Sequence, residues 1–154
     1  MEPNMKNISV RLTFLDIKNI KELSSRLNIR ESDLFRFSIK SILGKLIPLY
    51  DKYLKGTDLI PIWLECGDFL MQNFDLDAEK LDEIFNQDVA QPDQRIEMKD
   101  LELMAMSKRN PMYMTKKLSE IRARPVDPSD ANDEFKAYLY DKYILGGHQQ
   151  YSHG

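Results

Sequence analysis

Three polar side chains near the start of the chain, Ser9, Arg11 and Thr13, stand two residues apart and alternate with Ile8, Val10, Leu12 and Phe14. In a strand, the two-residue side-chain period sets a guanidinium between two hydroxyls on one face and four apolar groups on the other. Such a polar face offers donors to O6 and N7 of guanine and adaptable partners to nearby base edges. Ser9, Arg11 and Thr13 are therefore the first candidates for reading bases of a duplex, with a solvated strand face as the plainer reading of the three taken alone. Lys6 and Asn7, just before the segment, and Arg30 with the amides of Ser32 and Asp33 are expected to meet phosphates.

The rest of the chain holds little that points to other chemistry. Asp75, Asp77 and Glu79 alternate like the opening of a calcium loop, but the sixth position is Lys80 rather than Gly and the twelfth is Asn86 rather than Glu, so helix capping is the better account. One cysteine, Cys66, cannot form an internal disulfide, and two histidines, His148 and His153, are too few for a convincing zinc site. Trp63 and Cys66 lie in an apolar stretch and read as core. Met98, Met104, Met106, Met112 and Met114 are dense enough for an adaptable apolar groove, with core packing the plainer reading. No Ser/His/Asp set, phosphate-binding glycine loop or spaced carboxylate pair stands out. The expectation is a protein without catalytic residues, metal or cofactor.

Charge divides the chain more sharply than composition does. Over 154 residues the net charge is −3, with 42% apolar and 31% charged residues, as in a globular protein. Residues 1–50 hold nine Lys or Arg against five Asp or Glu, a balance of +4, and the remainder carries −7. A polyanion partner is thus expected to meet the first third. No apolar run approaches the roughly 20 residues of a membrane span, and the first residues lack the sections of a secretory signal, which implies a cytoplasmic protein without a membrane partner.

The elements expected to position these residues follow from periodicity. After the strand at 8–14, Asp16 is a suitable N-cap for a helix over 17–27 with Ile17, Ile20, Leu23 and Leu27 on one face, and Asn28 is suited to end it in the left-handed conformation. A second helix fits Glu31 to Leu46, with Leu34, Phe35, Ile39, Ile42, Leu43 and Leu46 apolar. Beyond 50 the pattern predicts helices over about 60–73, a short one capped by Asp77, one from Met98, one after Pro111 and a last one over 133–145. Loops separate them at 87–95 and 124–130. The implied organisation is a module at 1–50, a helical domain at 51–145 and a flexible tail at 146–154.

The run from Ile8 to Leu46, ISVRLTF, DIKNIKELSSRLNI and RESDLFRFSIKSILGKL, resembles the ribbon-helix-helix family of bacterial DNA-binding proteins, over about a quarter of the chain. The resemblance implies a mainly α protein whose N-terminal strand pairs with that of a second copy, the two forming a ribbon in the DNA major groove. It also implies a homodimer core of Ile8, Val10, Leu12, Phe14, Leu34, Phe35, Ile39 and Ile42, and a transcriptional repressor as the function. Where that family has Ser or Thr at the start of the second helix, this chain has Arg30-Glu31-Ser32-Asp33. Either Arg30 contacts the DNA backbone directly, or the module dimerises without binding DNA tightly. In the alternative reading, antitoxin-like or scaffolding, the module mainly dimerises and the C-terminal domain holds another protein.

Overall fold

The computed structural model describes residues 4–146, so His148 and His153 and all of the expected tail after Gly146 lie outside the described residues. The chain divides into two compact units, Met1–Lys45 and Leu46–Gly154, the division falling five residues before the expected boundary at 50.

The first unit is a pair of helices, α1 (Phe14–Leu27) and α2 (Glu31–Lys45). Residues 4–13 form no regular element, and no strand occurs among the described residues. This overturns both the expected strand at 8–14 and the ribbon-helix-helix assignment, because that architecture is built on a strand. The local reason lies at Thr13. Its Oγ1 accepts the Asp16 amide at 3.1 Å while the Asp16 carboxylate accepts the Thr13 amide at 3.3 Å, a capping box that starts the helix at Phe14. Phe14 is thereby helical, and Asp16 is the third helical residue rather than the cap. Ile8 and Val10 have no ladder to join and remain 87% and 73% exposed.

Asn28 ends α1 as its residue type implies, at φ 54° and ψ 44°, with its amide donating to the carbonyls of Ser24 and Ser25. The chain then turns tightly. The amide of Ile29 also reaches the Ser24 carbonyl, and those of Asp33 and Leu34 close onto the Arg30 carbonyl. Between the two helices only Ser24 and Leu34 are buried. A serine at the contact lets two backbones approach but removes little apolar surface from water, so Leu23, Leu27, Phe35, Phe37, Ile39, Ile42 and Leu43 stay substantially exposed.

The second unit has the core that the first lacks. It runs through α3 (Ile47–Tyr50), a 3₁₀ turn at Gly56–Leu59, α4 (Ile60–Asn73), α5 (Ala78–Asn86), α6 (Met98–Arg109), α7 (Pro111–Arg122) and α8 (Ala131–Leu139), then continues as a π turn at Tyr140–Leu145. Short polar signals set the helix starts. Asp77 accepts the Lys80 amide at 2.9 Å, Asn110 accepts the Tyr113 amide at 3.1 Å, and Pro111 takes the first position of α7, where a missing N–H costs nothing. Ile60, Leu81, Phe85, Leu101, Met104, Leu118 and Leu139 are essentially sealed from water, and Trp63 meets Phe85 edge to face with 5.5 Å between ring centroids. Trp63 and Cys66 are core residues, as are Met104 and Met114, whereas Phe74, Met98 and Met112 face water. The last helix begins at Ala131 instead of 133.

Two positions hold the long loop after α5. Gly56 adopts φ +56°, and a Cβ there would sit 1.9 Å from the Gln94 carbonyl oxygen, so the 3₁₀ turn touches the loop backbone only because the residue is glycine. Asn86 is buried and acts like a short piece of strand. Its Oδ1 accepts the Ile96 amide at 2.8 Å, and its Nδ2 donates to the Ile96 carbonyl at 2.9 Å and to Asp82 at 2.7 Å. Asn86→Ala strands both backbone groups of Ile96, and urea denaturation is expected to show a loss of about 2–4 kcal/mol. A loss under 0.5 kcal/mol would mean that water replaces the amide.

Candidate functional site

The residues expected to read DNA lie on the first unit and are not equivalent in the structure. Lys6, Asn7, Ser9 and Arg11 precede α1 and are exposed. Thr13 is engaged otherwise: its hydroxyl bonds Asp16 in both directions, as acceptor of the amide and as donor to Oδ2 at 2.7 Å. Arg30 is also committed, since its Nε and Nη2 clasp the two Asp33 oxygens at 2.9 and 3.0 Å, and Arg36 adds a third bond to Asp33 at 3.1 Å. The Asp33 amide is spent on the Arg30 carbonyl. Hydrogen bonding from Arg30 holds the Asp33 carboxyl below the ordinary aspartate range and raises Arg30. This cluster is open to solvent, so a phosphate can still displace it at small cost.

Of the expected dimer core, Leu34 is buried within the hairpin, while Ile8, Val10, Leu12, Phe14, Phe35, Ile39 and Ile42 are open, Phe14 at 93%. The geometry also brings forward a basic face that the sequence reading did not single out. On α1, Lys18, Lys21, Ser25 and Arg26 fall opposite the Ile20, Ser24 and Leu27 side, with Lys18 in a loose, exposed pair with Glu22 at 3.8 Å. Helical periodicity alone was enough to find it, had the strand not drawn attention away.

The second unit contains a polar constellation that sequence reasoning missed altogether. Asp100, on α6, is fully buried. Its carboxylate accepts from the Tyr138 hydroxyl at 2.8 Å, the Lys142 ammonium at 2.7 Å and the Tyr143 hydroxyl. Lys142 also reaches Glu97 at 3.1 Å, and the Tyr143 oxygen accepts the Glu97 amide at 3.0 Å. The π turn explains how three donors converge. In an α-helix Tyr143 would point roughly 140° away from Tyr138, whereas the wider i→i+5 turn brings it toward the same side. Burial, followed by donation to Asp100, pushes both tyrosines above their ordinary range.

Around this clamp, charge pairs tie α8 to its neighbours. Lys136 and Asn132 bond Asp68 of α4 at 2.7 and 2.9 Å. Burial acts to raise the Asp68 carboxyl, but these two donors together bring it below the usual range. Arg122 of α7 bonds Asp141 at 3.0 Å, and Arg124 bonds Glu134 at 2.6 Å. Among the described residues no His, Cys, Asp or Glu cluster is arranged to hold a metal, and no helix is long and apolar enough to cross a membrane.

The fold and the clamp define an all-helical chain of two units, one basic and one acidic. No protein-family model matches it, no characterised protein matches it in sequence, and no solved structure matches it.

Asp100→Ala leaves the Tyr138 and Tyr143 hydroxyls without their acceptor and takes one of two carboxylates from the partly exposed Lys142, and the expected loss in urea denaturation is about 2–4 kcal/mol. The tyrosines add a pH signature. Their folded-state pKa values lie above the unfolded one, so the stabilisation they give is complete below about pH 10 and is lost as pH rises further. Wild-type stability should fall more steeply between about pH 10 and 12 than that of the Tyr138→Phe, Tyr143→Phe double variant. Parallel curves would remove the tyrosines from the clamp.

Proposed function

We propose that the chain is a homodimeric DNA-binding protein that represses transcription in the cytoplasm by occupying its operator, with the first unit as both the dimer interface and the DNA-binding surface. One observation carries this reading: the hairpin combines an uncovered apolar side with a surplus of cations. Two helices that bury a single leucine and a single serine between them are not stable alone, because a unit of this size needs most of its apolar side chains out of water. Fully burying an exposed Phe or Ile stabilises by about 1.5–3 kcal/mol, and Phe35, Ile39 and Ile42 on α2, all still partly open to water, offer about half of that each to a second copy. Among the described residues, Lys6, Arg11, Lys21, Arg26, Lys40 and Lys45 have no ion pair, so the charge of +4 on residues 1–50 is not cancelled locally and doubles in a dimer. Such a field favours the phosphate backbone over other partners.

A second reading has its own support: Asp33 already neutralises Arg30 and Arg36 at the start of α2. In that case the hairpin mainly assembles copies, and the second unit holds another protein, as a scaffold or antitoxin would.

Sedimentation at micromolar concentration should show a dimer, and Ile39→Asp with Ile42→Asp should dissociate it while the helical signal of the second unit persists. Arg11→Ala is expected to cost about 1–3 kcal/mol on the preferred sequence only. Lys21→Ala should weaken every duplex alike and reduce the salt slope by about 1. A folded dimer that selects no sequence from a random pool at physiological salt would leave the assembly reading in its place.

A further inference from the structure

The second unit is acidic as a whole, but its charge is not spread evenly. Residues 103–119 contain Lys108, Arg109, Lys116 and Lys117 and no Asp or Glu, whereas residues 75–102 contain ten acids and three bases. Lys108 and Arg109 end α6, and Lys116 and Lys117 lie midway along α7. On α7, Met114, Thr115 and Leu118 turn inward, so the 3.6-residue period turns Met112, Tyr113, Lys116 and Glu120 outward with Lys117 beside them.

The four cations are not equally free. Arg109 is bound to Asp75, and the Lys108 ammonium donates to the Gln72 carbonyl at 3.0 Å, so both help to fix α6 against the end of α4. Lys116 has no ion pair among the described residues. Lys117 lies 5.6 Å from the centre of the Tyr113 ring and pairs with Glu120 at 3.4 Å, an exposed contact of the kind that exchanges readily. Two ammonium groups on adjacent residues thus project on flexible stems from a helix whose inner side is locked into the core, Lys116 free of ion pairs and Lys117 in an exchangeable one with Glu120. They stand at a local maximum of positive charge on an otherwise negative body. A body with net −7 on residues 51–154 repels a polyanion, and this stretch is the part of it that attracts one.

From this placement we infer that the outer face of α7 at Lys116 and Lys117 is a second nucleic-acid contact, recognising the phosphate backbone without regard to sequence. The contact lies wholly within the second unit and does not depend on the role assigned to the hairpin. Ammonium groups displace counterions from the backbone one for one, so the contact adds to the salt dependence of binding and not to base selection.

The test uses the full-length protein and a labelled 30-base-pair duplex of random sequence, with affinity followed by fluorescence anisotropy from 50 to 200 mM salt. The Lys116→Ala, Lys117→Ala double variant should keep the thermal midpoint of the wild type and lower the slope of log K against log salt by about 1.8. A parallel Lys21→Ala, Arg26→Ala variant reports on the hairpin. If the α7 variant keeps the wild-type slope while the hairpin variant loses it, the second contact is overturned and the function proposed above stands. If the hairpin variant is silent and the α7 variant is not, the inference holds and the hairpin loses its DNA role. A wild type that binds no duplex overturns both. Binding of polyglutamate that needs Lys116 and Lys117, with no change in duplex slope, overturns the inference by giving the two lysines to an acidic protein segment.

Discussion

A carboxylate removed from water must be met by donors, and in the second unit that requirement holds the end of α8 and the π turn after it in place. Asp100 is on α6, in the middle of the apolar core, and its three donors all come from the last eight described residues before Leu145 and Gly146. The end of α8 therefore cannot drift or fray without leaving a charge stranded in low dielectric, a loss far greater than that of any exposed ion pair nearby. The π turn follows from the same demand. A regular helix supplies two donors on one side at i and i+4, and the third is reached by widening the turn.

The two units solve opposite problems. In the second, Trp63, Phe85, Leu101, Met104 and Leu139 close a core, so polar groups such as Asp100 and Asn86 can be carried inside because each is fully paired. The first has excellent local structure, with a reciprocal cap at Thr13 and Asp16 and a left-handed stop at Asn28, and almost no tertiary burial. Caps fix where helices begin and end but contribute about a kilocalorie each, and an exposed i,i+4 pair adds about 0.3–0.5 kcal/mol, which together is less than the ordering of such a hairpin requires. Its stability must come from what covers it.

Much of the helical layout was legible because the signals were local. Asp77, Pro111 and Asn28 mark helix ends by their own chemistry, and the period of Leu81 and Phe85 or of Met114 and Leu118 shows which side turns inward. The strand was misread for the same reason. Alternation over Ile8 to Phe14 is a statement about side-chain faces, and it becomes a strand only if a partner supplies the backbone bonds; in the structure the cap at Thr13 takes Phe14 into α1 instead. Asp100 was illegible on different grounds. Nothing in Lys99-Asp100-Leu101 distinguishes that acid from its 24 fellows, and its donors are 38 to 43 residues away in sequence. Burial of a charge is a property of the assembled fold, so only the fold reveals it.

Charge divides the chain much as packing does, with a basic first unit and an acidic second one. At 0.15 M salt, exposed charges act over about 8 Å, so a partner meets the charge of the surface that it touches and not the net −3 of the chain. An acidic body discourages nonspecific capture by any polyanion, so the few places where cations outnumber acids are where one is attracted. On α1 that accumulation lies beside an apolar side that a second copy can cover, and pairing would bring two basic faces together. In the function proposed above, attraction for phosphate is concentrated on the assembled state, so that assembly and binding reinforce one another by mass action.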